Sequence, residues 1–283
     1  MSHFLSSEFP QSGAKDALFH VIPVPLEKSV SYGTGTANGA EAILEASYQL
    51  EAFDGTSCPG DHGIHTTAPL DCSGEVSACL ANIRAACTPV YEAGHIPVLL
   101  GGEHTLSLAP VEALHELRQD FGVVQIDAHA DLRDSYEQSP YSHACVMRRI
   151  HELGVPVCQI GVRNLCVEEV DYRARHGIRH LDAREIFEHG IPEMILPADF
   201  PENIYLTFDV DGLDSSLMPA TGTPEPGGLD WWQALEVCRN VARNRRILGL
   251  DVVELAPRDE LHACAYTAAK LTYALMGIAA RGR

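Results

Sequence analysis

The feature that most constrains this chain is the run Val123-Val124-Gln125-Ile126-Asp127-Ala128-His129-Ala130-Asp131. Its apolar opening reads as a buried strand. It closes on two carboxylates and an imidazole at alternate positions, so the three side chains are expected to project to one side. Carboxylate oxygens and imidazole nitrogens are ligands of divalent first-row cations, and grouped around an empty centre they would repel and desolvate badly. On this run alone, a polar loop with Asp127 as a helix cap stays open.

A second run ends in the same way. Asn203 to Asp214 is a β-branched and aromatic stretch that closes on Asp209 and Asp211. In a parallel α/β sheet the carboxyl ends of the strands lie along one edge, where such folds place their ligands. Ile96 to Leu100 reads as a further strand, closing on Gly101-Gly102-Glu103-His104. The glycines permit close backbone approach, and His104 becomes another candidate ligand or a helix cap. Six candidates (His104, Asp127, His129, Asp131, Asp209 and Asp211) exceed the needs of one ion. Two metals bridged by shared carboxylates is the economical arrangement.

Strand and helix patterns alternate along the chain with short connections. Strands are expected from Ala17 to Ile22, Val155 to Gly161, Ile178 to Leu181 and Ile247 to Leu255. Helices are expected from Ala40 to Leu50, Ser73 to Glu92, Leu106 to Leu117, Val167 to His176, Ala183 to His189, Asp230 to Arg243 and His262 to Ala279. Ser142-His143-Ala144-Cys145 opens one more, after a polar loop from Leu132 to Tyr141. The expected class is α/β, a mostly parallel sheet covered by helices on both faces, forming one domain across residues 1–283. The glycines of Gly33-Thr34-Gly35-Thr36-Ala37-Asn38-Gly39 do not make a dinucleotide fingerprint. Their spacing differs, and a long loop separates them from the preceding strand.

A formal charge of −19 disfavours a nucleic-acid partner and favours cationic solutes. No apolar run reaches the roughly 18 residues of a membrane helix, and the first residues lack a basic region followed by an apolar stretch. The expectation is a soluble, cytoplasmic protein. The nine cysteines show no Cys-x-x-Cys pair and read as reduced core thiols.

Gly-Gly-Glu-His at 101–104, Asp-Ala-His-Ala-Asp at 127–131, Ser-His-Ala at 142–144, Phe-Asp-Val-Asp-Gly-Leu-Asp at 208–214 and Asp-Val-Val-Glu at 251–254 together resemble the arginase/agmatinase ureohydrolase family. The likeness spans most of the chain. Ser215 and Ala220 depart from the family's usual Pro and Gly, away from any candidate ligand. The resemblance implies an eight-stranded, arginase-like α/β/α fold and two Mn²⁺ ions per subunit. It gives one ion to His104, Asp127, Asp131 and Asp209, and the other to Asp127, His129, Asp209 and Asp211, with Asp127 and Asp209 bridging. It also implies a trimer or hexamer. Such a metal pair would ionise a water near neutral pH for attack on a guanidinium carbon. Glu254 matches the family's guanidinium-binding carboxylate, Asp131 could pass on the proton, and His143 matches the proton-shuttling histidine. Helix capping by His143 and a surface position for Glu254 remain the plainer alternatives.

The loop Leu132-Arg133-Asp134-Ser135-Tyr136-Glu137 resembles the agmatinase version, its acidic groups suited to a distal ammonium. The expected reaction is hydrolysis of agmatine to putrescine and urea, a step of polyamine biosynthesis. N1-aminopropylagmatine, guanidinobutyrate and arginine are alternative substrates, and Arg133 would favour a carboxylate if it faced the pocket. A non-catalytic metal-binding homologue and a one-zinc deacylase are readings of other classes.

Overall fold

A computed structural model of the chain describes residues 3–118 and 120–283. The strands are β1 (Phe19–Val24), β2 (Ile64–Thr66), β3 (Ile96–Gly101), β4 (Phe121–Ile126), β5 (Val157–Ile160), β6 (Arg179–Leu181), β7 (Asn203–Asp209) and β8 (Arg246–Val253). The helices are α1 (Gly39–Ser47), α2 (Val76–Glu92), α3 (Leu108–Leu117), α4 (Val146–Glu152), α5 (Val167–His176), α6 (Ala183–His189), α7 (Trp231–Val241) and α8 (His262–Arg281). All eight strands form one sheet in the order β2-β1-β3-β8-β7-β4-β5-β6, and every neighbouring pair is parallel.

Strand period builds the two faces. On β4, Val124 and Ile126 pack into the layer that holds α1, α6, α7 and α8, while Phe121 and Val123 pack with α2, α3, α4 and α5. Both faces are covered, so the central strands read as continuous apolar runs rather than as alternating ones. The helix expected from Asp230 is α7, and Asp230 caps it. Asp230 accepts from the Gln233 backbone, and the Gln233 side chain accepts from the Asp230 backbone.

The structure departs from expectation at several points. Strand β2 was not expected, because three residues at a sheet edge are too short to carry a period. The helix expected from Leu106 begins as a 3₁₀ turn, His104–Ser107, before α3. Most consequential, β4 ends at Ile126 and β7 at Asp209. Asp127, His129 and Asp131 therefore lie on a loop, and Asp211 lies in the 3₁₀ turn Val210–Gly212. Strand alternation is not what aligns them.

Strand order does the work instead. β3, β8, β7 and β4 are consecutive neighbours in the sheet. Their carboxyl ends lead respectively to His104, Glu254, Asp209 with Asp211, and Asp127 through Asp131, so four segments distant in sequence open side by side at one edge.

Candidate active site

His104 sits at the centre of the cluster, held there by its own backbone. Gly102 packs so tightly on the 24–29 loop that a Cβ on it would lie 1.9 Å from the Leu26 carbonyl oxygen, which excludes any other residue. The His104 backbone N–H donates to Glu254 Oε1 at 2.7 Å. Its ring Nε2 lies 2.8 Å from Thr207 Oγ1, and Thr207 donates its hydroxyl to Asp251 Oδ1 at 2.6 Å. Tyr205 donates to the other oxygen of Asp251 at 2.7 Å. With the Thr207 proton already given to a carboxylate, Thr207 accepts from Nε2–H, and His104 Nδ1 is the ring nitrogen offered to the acidic cluster.

That nitrogen points at carboxylates. Nδ1 lies 3.0 Å from Asp127 Oδ2, 3.1 Å from Asp131 Oδ2 and 3.4 Å from Asp209 Oδ2, yet it is buried without a hydrogen-bond partner. His129 Nδ1 lies 3.1 Å from Asp211 Oδ2 and 3.5 Å from Asp127 Oδ1. The ligand atoms form two groups, His104 with Asp127 and Asp209, and Asp127 with His129 and Asp211. Each oxygen of Asp127 serves one group. Asp131 approaches the first through His104, whereas Asp209 is not among the second group's atoms.

The ligand loop is braced from outside. Gln125 Nε2 donates to Asp127 Oδ2 at 2.7 Å, Gln159 supports Gln125, and Arg173 Nε donates to Gln159 Oε1 at 2.7 Å. Asp127 Oδ1 accepts from the His129 backbone at 2.6 Å and Asp211 Oδ1 from the Ala128 backbone at 3.1 Å, which couples the two acidic segments. Arg163 ties the 211–213 turn to the 225–226 loop by donating to the carbonyls of Asp211, Leu213, Glu225 and Pro226.

Titration follows from this crowding. Burial alone would lower His104, but Asp127, Asp131 and Asp209 outweigh it and raise the imidazole well above its usual value. Against the same penalty, Asp211 and Asp127 push His129 up to about 12. Burial and then Asp127 push Asp131 up to about 7, and burial with Asp211 and Asp127 raises Asp209. Asp127 is held low by the two imidazoles despite its burial. Protons on His104 and His129 thus compete with any cation for the same lone pairs. Cation affinity is expected to weaken as pH falls, by roughly tenfold per pH unit for each proton displaced. Calorimetric titration with Mn²⁺ at several pH values measures this, and an affinity independent of pH would contradict it.

The outer brace has its own test. Thr207→Val removes the acceptor for His104 Nε2–H and is expected to weaken cation binding by roughly ten- to a hundredfold. Unchanged affinity in the same calorimetric titration would show that His104 does not depend on that hydrogen bond.

Two of the candidate residues carry left-handed backbone, Asp131 (φ 53) and Glu254 (φ 66). Non-glycine residues rarely accept this conformation, which costs of order 1 kcal/mol or more and clusters where a side chain must be aimed. Glu254 is buried rather than on the surface, and burial raises its pKa. With His104, Asp131, His143, Asp209, Asp211, Gly222 and Thr223 it lines a narrow cavity of about 20 Å³. Beside it, sharing Ser31, Asp131 and His143 in its wall, lies a chamber of about 170 Å³ also lined by Arg133, Tyr136, Asn164, Leu165 and Glu169. Larger cavities, about 650 and 720 Å³, lie over the arginine-rich ends of α7 and α8 and beside α1, away from the carboxylate cluster.

His143 opens the 3₁₀ turn His143–Cys145, and no side chain caps that turn. Its ring faces the chamber, edge-on to Tyr136, and burial lowers its pKa. The 132–137 loop differs from its expected role. Asp134 faces Arg148 and Arg149, at 3.2 and 3.1 Å, and Glu137 is not part of the chamber wall. The acids that do line the chamber are Asp131 and Glu169, and the oxygens of Glu169 accept from the Leu132 and Cys166 backbones. Arg133 lines it as well, its guanidinium 5.2 Å from the centre of the Tyr136 ring.

Residues 17–277 match the model of the Arginase family. The chain belongs to the arginase family. Among its curated relatives, the N(1)-aminopropylagmatine ureohydrolase of Synechocystis is 42% identical, over 97% of this chain and 92% of the relative. The agmatinase of Pyrococcus horikoshii is 34% identical, over 97% and 96%. The crystal structure of agmatine ureohydrolase of Thermoplasma volcanium superposes on this arginase-family chain with a TM-score of 0.89 at 27% identity, covering 99% of this chain and 95% of that one. The fold is that of the family, and the chain is a hydrolase of guanidino compounds. No helix of the described residues is long and apolar enough to cross a membrane.

Proposed function

We propose that this chain releases urea from a cationic guanidinoalkylamine, agmatine or its longer N1-aminopropyl derivative. The observation that carries this reading is Glu254, a buried carboxylate aimed by strained backbone into the narrow cavity over the two ligand groups.

The donor set fits a pair of divalent cations: His104 Nδ1 is orphaned among carboxylate oxygens, and the remaining donors are oxygen-rich with one further imidazole, as Mn²⁺ accepts. His104, Asp127, Asp131 and Asp209 would hold one ion, and Asp127, His129 and Asp211 the other. When bound, two such ions supply the positive charge that lets a water ionise near neutral pH.

The protein's own groups do the rest. Glu254 Oε1 is engaged by the His104 backbone, but each carboxylate oxygen can accept twice, so a planar guanidinium can still be gripped by both. This grip holds the carbon in one orientation, which matters because resonance makes it a poor electrophile. Asp131, whose carboxylate lies 3.1 Å from His104 Nδ1 beside the ion it would help to hold, is placed to take a proton there. His143 is suited to hand one to the departing alkylamine, a poor leaving group until protonated.

Between the two substrates, the relative at 42% identity bears the name of the longer one, and the chamber beside the narrow cavity leaves room for an extended chain. Urea release from N1-aminopropylagmatine, agmatine, guanidinobutyrate and arginine, compared as kcat/KM after Mn²⁺ loading, tests the proposal. Preference for either amine supports it. Preference for guanidinobutyrate or arginine would overturn it and make Arg133 a carboxylate anchor.

A further inference from the structure

Glu103 is fully buried one residue from His104, yet it touches neither ligand group. Its contacts run the other way. Oε2 accepts the backbone N–H of Lys28 and, at 2.7 Å, that of Ser29. Oε1 accepts the Ser29 hydroxyl at 2.9 Å. Ser29 Oγ in turn receives the backbone N–H of His143 at 3.0 Å and lies 3.2 Å from His143 Nδ1.

Proton counting settles the direction of that last contact. A serine hydroxyl has one hydrogen and two lone pairs. Here the hydrogen goes to the carboxylate, and one lone pair takes the His143 backbone N–H. The remaining lone pair can bond Nδ1 only if Nδ1 carries a hydrogen. A neutral imidazole with hydrogen on Nδ1 has its lone pair on Nε2. The competing contacts are longer: Ser142 Oγ lies 3.4 Å from Nδ1, and Thr105 Oγ1 lies 3.5 Å from Ser29 Oγ. Both sides of the relay are anchored by backbone, so the 28–29 loop, the turn at His143 and the β3 end are locked together.

We infer that Ser29 and Glu103 are positioning residues that fix the His143 ring as its Nδ1–H tautomer, making Nε2 the nitrogen that takes up and gives back the proton. The inference rests on the proposed role of His143. It extends that role to two residues for which neither the motifs nor the comparisons supply a function.

The test uses the metal-loaded enzyme. Ser29→Ala is expected to keep its metal content, melting temperature and KM close to wild type while kcat falls by roughly ten- to a hundredfold, part of what a positioned acid–base group contributes. Ser29→Thr, which restores the hydroxyl, is expected to recover most of that loss. Nitrogen NMR of the His143 ring in zinc-loaded protein gives a readout independent of turnover. The wild type is expected to show the proton on Nδ1 alone, and Ser29→Ala a mixture of tautomers. A wild-type ring protonated on Nε2 would overturn the inference, as would a Ser29→Ala variant with unchanged kcat. If none of the guanidino compounds is turned over, the proposed function fails, while the tautomer measurement still decides whether Ser29 sets the ring.

Discussion

Replacing Asp127 by alanine is expected to abolish binding of both cations and to lower kcat by roughly a thousandfold or more, because the charge that ionises water disappears with them. The expectation comes from how Asp127 is shared. Its two oxygens face different imidazoles, Oδ2 that of His104 and Oδ1 that of His129, so it is the one residue common to both ligand groups. Asp211→Ala removes a donor from the second group only and is expected to leave about half the metal. Elemental analysis of the two variants separates them, and the Mn²⁺-induced rise in melting temperature is expected to vanish for Asp127→Ala and to shrink for Asp211→Ala. An Asp127→Ala protein that retained two ions per chain would contradict the arrangement.

The second large effect concerns Glu254. Glu254→Gln keeps the shape of the side chain and one acceptor but removes the charge that faces a guanidinium in a buried cavity. Truncating one partner of a desolvated charge pair commonly costs about 2–5 kcal/mol, so a fall in kcat/KM of roughly thirty- to several-thousandfold is expected. The His104 backbone N–H retains a partner in the glutamine oxygen, so metal content is expected to stay the same. The raised pKa of Glu254 adds a sign. The carboxyl must be ionised to grip the guanidinium, so wild-type kcat/KM is expected to rise with pH as Glu254 loses its proton, and the variant is expected to lose that part of the profile. A variant as active as wild type would move the guanidinium site elsewhere.

Much of this was legible in the sequence because the ligands sit at strand ends, and strand ends are marked by apolar runs that stop at carboxylates. His104, Asp127, His129, Asp131, Asp209 and Asp211 all lie where parallel strands deliver them, at one edge of the sheet. The reason first given for their alignment does not hold, since Asp131 is reached through left-handed backbone that no side-chain pattern announces. The outer residues were less legible still. Thr207 and Asp251 fall inside apolar strands and gain meaning only when β7 and β8 pair, Thr207 opposite Asp251 in register. Ser29 is separated from His143 by 114 positions. The acidic pair Asp134 and Glu137 misleads in the opposite direction: charge in a sequence does not show which way a loop turns, and the arginines of α4 claim Asp134.

Four neighbouring strand ends are expected to hold two cations through one shared aspartate, Asp127. Anomalous diffraction at the manganese edge from crystals of the Mn²⁺-loaded protein tests it most directly. Two peaks are expected, one between His104 and Asp127 and one between His129 and Asp127. A single peak, or peaks away from Asp127, would contradict it.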